Sequence, residues 1–179
     1  FSTTVRANVG PNNGNKISKN TTFLIKNQKN EQVKKNLKYL NSKIEYIRLL
    51  KGTNFNYFSK ESINELTGKE FSVSKLSDRM GMRLQGPEIK NSKETNIRSE
   101  GLVKGVVQVP PDGNPIIMLS DHGTIGGYPK IAVVISADYD KLIQTPPGKK
   151  LKFKLIELKE AEKLHKLYQM ETENLLNQI

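Results

Sequence analysis

The chain has 179 residues, a formal net charge of +11 at pH 7 and no cysteine. This length fits one domain with or without a tail, and the lack of cysteine excludes disulfides, thiolate catalysis and cysteine-ligated zinc. The longest apolar runs, 116–119 and 131–135, are far shorter than the roughly 20 residues of a membrane-spanning helix. We therefore expect no membrane partner and a cytoplasmic location.

The positive charge is concentrated away from the segment with the most unusual composition. Lysines cluster in residues 28–51 and again after residue 148. Residues 105–147 contain two lysines and four aspartates, a net charge of −2. Because a nucleic-acid site gathers its basic residues at the functional surface, we interpret the charge as a solvated surface and expect no nucleic-acid partner.

The first 27 residues predict two short β-like pieces, 2–7 and 21–26, around the turn-rich sequence VGPNNGNK. Residues 28–43 are polar and rich in lysine, which indicates an exposed linker. The apolar run IEYIRLL at 44–50 then predicts a strand.

A helix is predicted over residues 54–67. Ser59 is a good N-cap, because its hydroxyl can accept a hydrogen bond from an N–H of the first turn, and Gly68 is a good stop. Residues 71–74 alternate apolar and polar side chains, as a half-buried strand does. The segment 77–87 alternates again, with one apolar face formed by Met80, Met82 and Leu84.

The next part of the chain has the pattern of several strands separated by turns. Strands rich in Val and Ile are predicted at 102–109, 115–120 and 129–137. The sequence PPDGN between the first two has Pro, Asp and Gly in turn order, which predicts a tight hairpin. The sequence ADYDKLIQ predicts one helical turn, and TPPGKK predicts another sharp turn.

The end of the chain predicts one strand and one helix. In KLKFKLIEL, at 150–158, leucines and a phenylalanine alternate with lysines, which predicts a strand with one solvent-exposed face. Residues 157–178 predict a helix with an apolar stripe formed by Leu158, Ala161, Leu164, Leu167 and Leu175.

Taken together, the elements predict a mainly β fold, a closed or nearly closed β-barrel with one or two short helices and a C-terminal helix. We divide the chain into a barrel domain at 1–158 and a helical tail at 159–179.

The sequence SDHGTIGGYP, at residues 120–129, is the strongest candidate for chemistry. Its glycines permit close backbone approach, and their N–H groups can bind a carboxylate or phosphate as a nest. Asp121 and Thr124 can fix a polar ligand, and Tyr128 can stack on it or donate a hydrogen bond. The alternative is an irregular strand connection, although the loop is longer than a hairpin requires.

Two further segments carry polar candidates. Asp112 in the Pro-Asp-Gly turn can reach a ligand, but Asp in such a turn usually bonds its own backbone, and Gln108 beside it can point inward or outward. In SDRMGMR, arginine is suited to bidentate binding of a carboxylate or phosphate. An internal ion pair between Asp78 and an arginine is the alternative.

The two histidines give little support for a metal site. His122 in the glycine-containing loop could shuttle a proton, but no second His or Cys lies near it in the sequence, so we expect no metal. His165 lies among the leucines and lysines of the tail and is expected at the surface. The sequence contains no Walker-type loop, no G-x-S-x-G and no H-E-x-x-H, so three large enzyme classes lack support.

Several ordered motifs resemble one known family. They are IRLLKG, FSVSKLSDRMGMRLQGPEI, SEGLVKGVVQVPPDGNPIIMLSDHGTIGGYPKIAVVISAD and KLKFKLIEL, which run from about Arg48 to Leu158. They resemble the KipA family, which comprises the C subunits of 5-oxoprolinases and is also called allophanate hydrolase subunit 2-like. Full members of that family carry an additional earlier half.

The resemblance implies a cyclophilin-like β-barrel that works with other subunits. The expected partners are a KipI-like sister protein (the 5-oxoprolinase B subunit) and a LamB/YcsF-like protein (the A subunit). Such a complex opens 5-oxo-L-proline to glutamate with ATP, and no motif places the ATP site in this chain.

Two other roles are implied by the same family. One is the carboxyltransferase part of a biotin-dependent urea or amide carboxylase. The other is a regulatory protein that antagonises a kinase inhibitor.

The family motif assigns candidate site residues in three segments. Asp121 and Thr124 are the expected catalytic residues, with Asp121 orienting an N–H of a lactam or urea-like substrate. Backbone N–H groups of the Gly126-Gly127 step would hold an anionic or amide oxygen. An arginine would pair with a substrate carboxylate. The expected substrate-binding residues are Asp78, Arg79, Arg83, Gln108, Asp112, Gly126, Gly127 and Tyr128.

This chain departs from the family within that loop. The family commonly has D-R-Q-T-T-G-G-Y, whereas here the residues after Asp121 are His122, Gly123, Thr124 and Ile125. An arginine charge and a glutamine amide are therefore absent, and we expect any difference in substrate to arise here.

Overall fold

The computed structural model describes residues 8, 10, 12–24, 45–93 and 95–177, which belong to two compact units, Phe1–Lys38 with Ile179 and Tyr39–Gln178. In the first unit, the predicted turn is confirmed as a 3-10 turn at Asn12–Gly14. The strand predicted over 21–26 is wrong in its described part, because the Thr21 hydroxyl instead donates to the Ser18 carbonyl and closes a turn. The predicted strand at 2–7 and linker at 28–43 lie outside the described residues.

The described part of the second unit contains ten strands, three α-helices and a 3-10 helix at Phe55–Tyr57. The strands are β1 Ile47–Lys51, β2 Phe71–Val73, β3 Gly81–Gln85, β4 Glu100–Gly101, β5 Val106–Gln108, β6 Ile116–Met118, β7 Ile125–Gly126, β8 Lys130–Val134, β9 Lys150–Leu151 and β10 Phe153–Leu155. The helices are α1 Lys60–Gly68, α2 Ser136–Ile143 and α3 Leu158–Leu176.

Eight of these strands form one sheet in the order β10-β1-β8-β5-β6-β3-β2-β9. The pairing of β1 with β10 is parallel and the other pairings in this sheet are antiparallel. The two edge strands, β9 and β10, are consecutive in the chain, and the carbonyl of Lys152 between them accepts a hydrogen bond of 2.8 Å from Ile47 N. One segment therefore supplies both edges, which makes the sheet a nearly closed barrel, as predicted.

The predicted alternation of side chains is confirmed where the strands form. In β3, Met82 and Leu84 are buried while Arg83 is exposed, and Met80 lies just before the strand and is half-buried. The strand predicted at 150–158 is divided into β9 and β10 but keeps its alternation. The apolar faces meet inside the barrel, where the rings of Phe71 and Phe153 lie 5.8 Å apart.

The strands around the predicted hairpin are shorter than expected. Strands β5 and β6 pair in antiparallel fashion, with Gln108 opposite Ile116, which confirms the hairpin. Gly113 has a φ of 72° and its N–H donates to the Pro110 carbonyl, so the turn depends on this glycine. The loop prediction missed β7, which pairs with β4 in a separate two-stranded sheet.

The helix predicted over 54–67 divides into a 3-10 helix at Phe55–Tyr57 and α1, which begins at Lys60. The predicted cap is confirmed, because the Ser59 hydroxyl accepts a hydrogen bond of 3.2 Å from Ser62 N. Helix α2 has eight residues, which is longer than the single turn predicted. Asp138 in its first turn is fully buried and accepts hydrogen bonds from Arg48 N and Nε, each 2.8 Å, and from Arg48 Nη2. This ion pair fixes α2 to β1.

Helix α3 confirms the predicted C-terminal helix, but its buried face differs from the predicted stripe. Leu158 and Leu167 are exposed, whereas Ala161, Leu164 and Tyr168 pack in a cluster that includes Ala137 of α2. The expectation of a surface His165 is also wrong, because the residue is half-buried and its buried Nδ1 finds no hydrogen-bond partner in the described structure. None of the described helices is long and apolar enough to cross a membrane.

Candidate functional site

A cavity of about 450 Å³ opens beside the barrel, between the segment that precedes β3, the end of β6 and the chain that follows α2. Its wall combines an apolar surface with hydroxyl and charged groups. The apolar lining residues are Val73, Met82, Leu119, Ile143 and Pro147, and the polar ones are Ser77, Asp78, Arg79, Ser120 and Thr145. Concave sites with an apolar wall and a few polar groups are typical of small-molecule binding.

One of the lining residues, Arg79, takes part in a bidentate ion pair with Asp121. Arg79 Nε is 2.8 Å from Asp121 Oδ2, and Arg79 Nη2 donates to Asp121 Oδ1 at 3.0 Å. The backbone adds a third contact, because Asp121 N donates to the Arg79 carbonyl at 3.1 Å. The arginine side chain is 50% exposed and the aspartate 22%. The carboxylate of the expected catalytic aspartate is thus held in place by an arginine that itself lines the cavity.

Two further side chains support the polar part of the cavity wall: Asp78 holds the backbone before β3, and Tyr139 contacts the Ser120 hydroxyl. Asp78 Oδ1 accepts hydrogen bonds from Met80 N at 2.9 Å and Gly81 N at 3.1 Å, so this carboxylate shapes the turn before β3. The hydroxyl of Ser120 lies 3.4 Å from that of the buried Tyr139. The polar edge of the cavity is therefore supported by residues behind it.

Arg83 and Asp112 lie in a different, smaller groove of about 160 Å³. Asp112 Oδ1 accepts a hydrogen bond of 3.1 Å from Asn114 N, as an aspartate in a Pro-Asp-Gly turn usually does. Arg83 points from the exposed face of β3, and its backbone N–H donates to the Ser77 hydroxyl at 3.0 Å. The two predicted arginines thus line separate depressions.

The glycine-containing segment forms a third environment. The Thr124 carbonyl accepts a hydrogen bond of 2.9 Å from Leu102 N, and the Gly127 carbonyl accepts one of 2.8 Å from Ile97 N. A Cβ at Gly126 would lie 2.7 Å from the Gln108 side-chain nitrogen, which is closer than atoms can approach. Gly126 therefore lets the Gln108 side chain pack closely against the backbone, one of the two uses of glycine that the sequence indicated.

Gln108 points inward from β5 and is buried. Its Nε2 donates a hydrogen bond of 3.0 Å to the Tyr128 carbonyl, while the Tyr128 side chain remains 37% exposed. The predicted site residues are therefore distributed over three places. Asp78 and Arg79 line the cavity of about 450 Å³, called the large cavity below, and Asp121 is bonded to Arg79 without lining it. Arg83 and Asp112 line the small groove, and Gln108, Thr124, Gly126, Gly127 and Tyr128 belong to the glycine-containing segment.

Sequence reasoning missed one charged group beside this segment. The Lys130 side chain is only 4% exposed, and its Nζ lies 2.8 Å from Glu100 Oε2. The hydrogen bond from Lys130 is the main reason that the pKa of Glu100 lies below its ordinary value. A signal was present in the sequence, since Lys130 directly precedes the apolar run 131–135 inside the strand predicted at 129–137.

His122 does not approach a catalytic partner through its Nδ1, which lies 2.6 Å from the carbonyl of the next residue, Gly123. Among residues 8, 10, 12–24, 45–93 and 95–177, no group of three or more His, Cys, Asp or Glu side chains is placed to hold a metal ion.

Comparison with known proteins agrees with this architecture. The C subunit of 5-oxoprolinase from Escherichia coli (strain K12) is 41% identical over 117 residues, which cover 65% of this chain and 38% of that protein. A putative urea carboxylase of Emericella nidulans is 30% identical over 114 residues, which cover 59% of this chain and 9% of that protein. The crystal structure of K. lactis urea amidolyase has the same fold, with a TM-score of 0.68 at 24% identity over 73% of this chain and 8% of that chain.

The chain therefore spans well under half the length of these relatives. The family model of the carboxyltransferase domain, subdomain A and B, matches residues 1–155. This match covers most of the chain, and it agrees with the resemblance to the 5-oxoprolinase C subunits that the motifs indicated. The chain accordingly belongs to the carboxyltransferase domain family, subdomain A and B.

Proposed function

We propose that this chain is the substrate-binding part of a 5-oxoprolinase-type subunit, which binds a small amide or lactam for ATP-dependent ring opening by a larger complex. The observation that carries this proposal is the 41% identity to the C subunit of a 5-oxoprolinase over 117 residues. That protein is one component of several by its name, so the proposal includes KipI-like and LamB/YcsF-like partners, and it places ATP use in the complex.

The large cavity has the chemistry that such a substrate needs. Its apolar wall, which includes Met82 and Leu119, can pack against ring methylene groups. Asp121 follows the lining residue Ser120 and is bonded to the lining residue Arg79, which holds its carboxylate in place. This carboxylate can accept a hydrogen bond from a lactam N–H. Asp121 is thus the proposed group that contacts the amide, and Arg79 is a positioning residue.

A second function is favoured by one specific observation. The family model is that of a carboxyltransferase domain, and the Emericella nidulans relative is a putative urea carboxylase. In this alternative the same cavity binds urea or another small amide, which accepts a carboxyl group from carboxylated biotin.

The test reconstitutes the natural protein that contains this chain with its candidate KipI-like and LamB/YcsF-like partners. Formation of glutamate from 5-oxo-L-proline and of ADP from added ATP is measured, and in parallel the transfer of a carboxyl group from carboxylated biotin to urea. Turnover of 5-oxo-L-proline supports the first function. Transfer without such turnover replaces it with the second.

The variant Asp121→Asn then tests the site. It is expected to lower turnover at least tenfold, because the amide nitrogen cannot accept a hydrogen bond or balance the arginine charge. Its cost in stability should stay below about 1 kcal/mol, since Arg79 is half-exposed. The matched control is Asp112→Asn, in the other groove, which should retain activity. Equal losses of turnover in both variants would contradict the assignment of the substrate site to the large cavity.

A further inference from the structure

A second cavity, of about 220 Å³, lies at the seam of the barrel, where the edge strands β9 and β10 follow each other in the chain. Its wall is formed by the start of β1, by β9 with the link to β10, and by the end of α2. We call it the seam cavity. Its volume is below the roughly 300–1,000 Å³ of pockets for drug-sized ligands, so it suits a ligand of few atoms.

Five charged side chains line the seam cavity. The three ammonium groups belong to Lys141, Lys150 and Lys152, and the two carboxylates belong to Glu45 and Glu70. The wall therefore has a net charge of +1 but presents both signs of charge. Such a wall matches a small ligand that itself carries both an ammonium and carboxylates better than it matches a simple anion.

The ion pairs within this wall leave donors for a ligand. Glu70 Oε2 accepts a hydrogen bond of 2.8 Å from Lys150 Nζ, whereas Glu70 Oε1 is 3.7 Å from Lys152 Nζ, beyond hydrogen-bond distance. Each ammonium has three donors, so one carboxylate does not saturate two lysines. These three side chains are 42–71% exposed, and water weakens ion pairs at such exposure. A ligand carboxylate can therefore join or replace Glu70 with little disruption.

The seam cavity and the large cavity meet at one residue. Thr145, in the segment that follows α2, lines both of them. The backbone of this segment is attached to β2, because Gly148 N donates to the Val73 carbonyl at 2.8 Å and Val73 N donates to the Lys149 carbonyl at 2.9 Å. The two cavities are thus neighbours with one fixed wall in common.

Ring opening changes the charges of the proposed substrate. 5-Oxo-L-proline has one carboxylate and an uncharged lactam. When the lactam C–N bond breaks, water supplies a hydroxyl to the carbonyl carbon and a proton to the nitrogen, and at neutral pH the new groups are a carboxylate and an ammonium. The product, glutamate, therefore has two carboxylates and one ammonium. Its net charge of −1 is the complement of the seam cavity.

We propose that the seam cavity is a subsite for an acidic amino acid, in which its lysines bind the ligand carboxylates and Glu45 accepts hydrogen bonds from the ligand ammonium. The subsite rests on the proposed function for its ligand, because ring opening in the large cavity would supply glutamate beside it. Glu45 is assigned to the ammonium because Glu70 is already bonded to Lys150.

The experiment uses the natural protein that contains this chain, without ATP or partner proteins. NMR follows the methyl signals of Ile47, which lines the seam cavity, and of Met82, which lines the large cavity. L-glutamate should shift the Ile47 signal, and 5-oxo-L-proline should shift the Met82 signal. If L-glutamate leaves Ile47 unchanged, or if inorganic phosphate shifts it as strongly at equal concentration, the proposal is overturned.

Two matched probes test which groups of the ligand are recognised. L-glutamine has an amide in place of the side-chain carboxylate, and glutarate lacks the ammonium. Each should bind about tenfold more weakly than L-glutamate in calorimetry, because each loses one charge-assisted contact. Equal affinity for all three compounds would refute the subsite.

The variants locate the contacts. Lys152→Met should weaken L-glutamate binding about tenfold, whereas the matched control Lys149→Met, at an exposed lysine that does not line the cavity, should leave it unchanged. Equal weakening in both variants would mean that only the overall positive charge matters and would refute the subsite. Glu45→Gln should reduce the preference for L-glutamate over glutarate, a change in selectivity that a merely structural role would not produce.

The outcomes separate this subsite from the proposed function. A shift of the Ile47 signal with L-glutamate, in a protein whose reconstituted complex does not turn over 5-oxo-L-proline, would refute the proposed function and leave the subsite standing. Turnover without a shift of the Ile47 signal would refute the subsite and leave the proposed function standing.

Discussion

Replacing Asp138 with alanine removes the carboxylate that fixes α2 to β1. This carboxylate is fully buried and accepts three hydrogen bonds from Arg48, one from the backbone and two from the guanidinium. The substitution therefore leaves a backbone N–H and a cation without their acceptor. The hydrogen bond to Asp138 raises the pKa of Arg48. The guanidinium keeps its proton even without this partner, so in the variant it cannot escape the cost by becoming neutral.

Breaking a buried ion pair by removing one partner typically costs about 3–5 kcal/mol. The Arg48 side chain is 25% exposed, so water can partly solvate the remaining charge, and we expect a loss near the lower end, about 3 kcal/mol. Since domains of this kind have total stabilities of about 5–15 kcal/mol, this loss is a large fraction. The effect should extend to the large cavity, because Ile143 ends α2 and lines it.

The free energy of unfolding is measured by urea denaturation for the unmodified chain, Asp138→Ala, Arg48→Met and the double variant. The cost of Asp138→Ala should be much smaller when Arg48 is already Met, because no unpaired charge remains. The control is Asp112→Ala. Because Asp112 lies in an exposed turn, this substitution should lower the free energy of unfolding by no more than about 1 kcal/mol. A loss below about 1 kcal/mol in Asp138→Ala would refute this account of the Arg48–Asp138 ion pair. Additive effects of the two substitutions in the double variant would refute it as well.

Two further predictions concern the β4–β7 sheet. Gly126→Ala places a Cβ 2.7 Å from the Gln108 side-chain nitrogen, so it should cost about 1–3 kcal/mol in urea denaturation. Gly101→Ala, whose Cβ meets nothing within 4 Å, should be nearly neutral, and equal costs would contradict the packing argument. The pKa of Glu100 is lowered below its ordinary 4.5, so the stabilisation by its ion pair is present at neutral pH and is lost as the pH falls below 4.5 through the folded value. Amide exchange in β4 and β7 should rise over that range, and the step should be absent in Glu100→Gln.

The barrel itself was largely predictable from the sequence, because period-2 alternation and turn residues are local signals. Met82 and Leu84 are buried beside the exposed Arg83, as the pattern of 77–87 indicated. The Pro-Asp-Gly turn and the Ser59 cap could equally be predicted from the sequence, since each depends only on neighbouring residues. The short strand β7 was missed because its pairing with β4 involves residues far away in the chain.

The site was less predictable, because its contacts depend on register between distant strands. The motif placed Asp121 and Arg79 in one site and the structure pairs them, yet the motif also assigned Arg83 and Asp112, which lie in another groove. The partner of Lys130 could not be inferred, since Glu100 is 30 residues away on a different sheet.

The amino-acid sequence alone was enough to indicate which side chains face the core, where the chain turns and to which family the chain belongs. These properties follow from local periodicity, backbone preferences and ordered motifs. Which charges meet, in contrast, is set by the three-dimensional fold. Arg79 and Asp121 are separated by 42 residues, and Arg48 and Asp138 by 90. The physical reason is that an ion pair requires two atoms within about 4 Å, and for residues so far apart that distance is set by barrel closure and strand register, which no local pattern encodes.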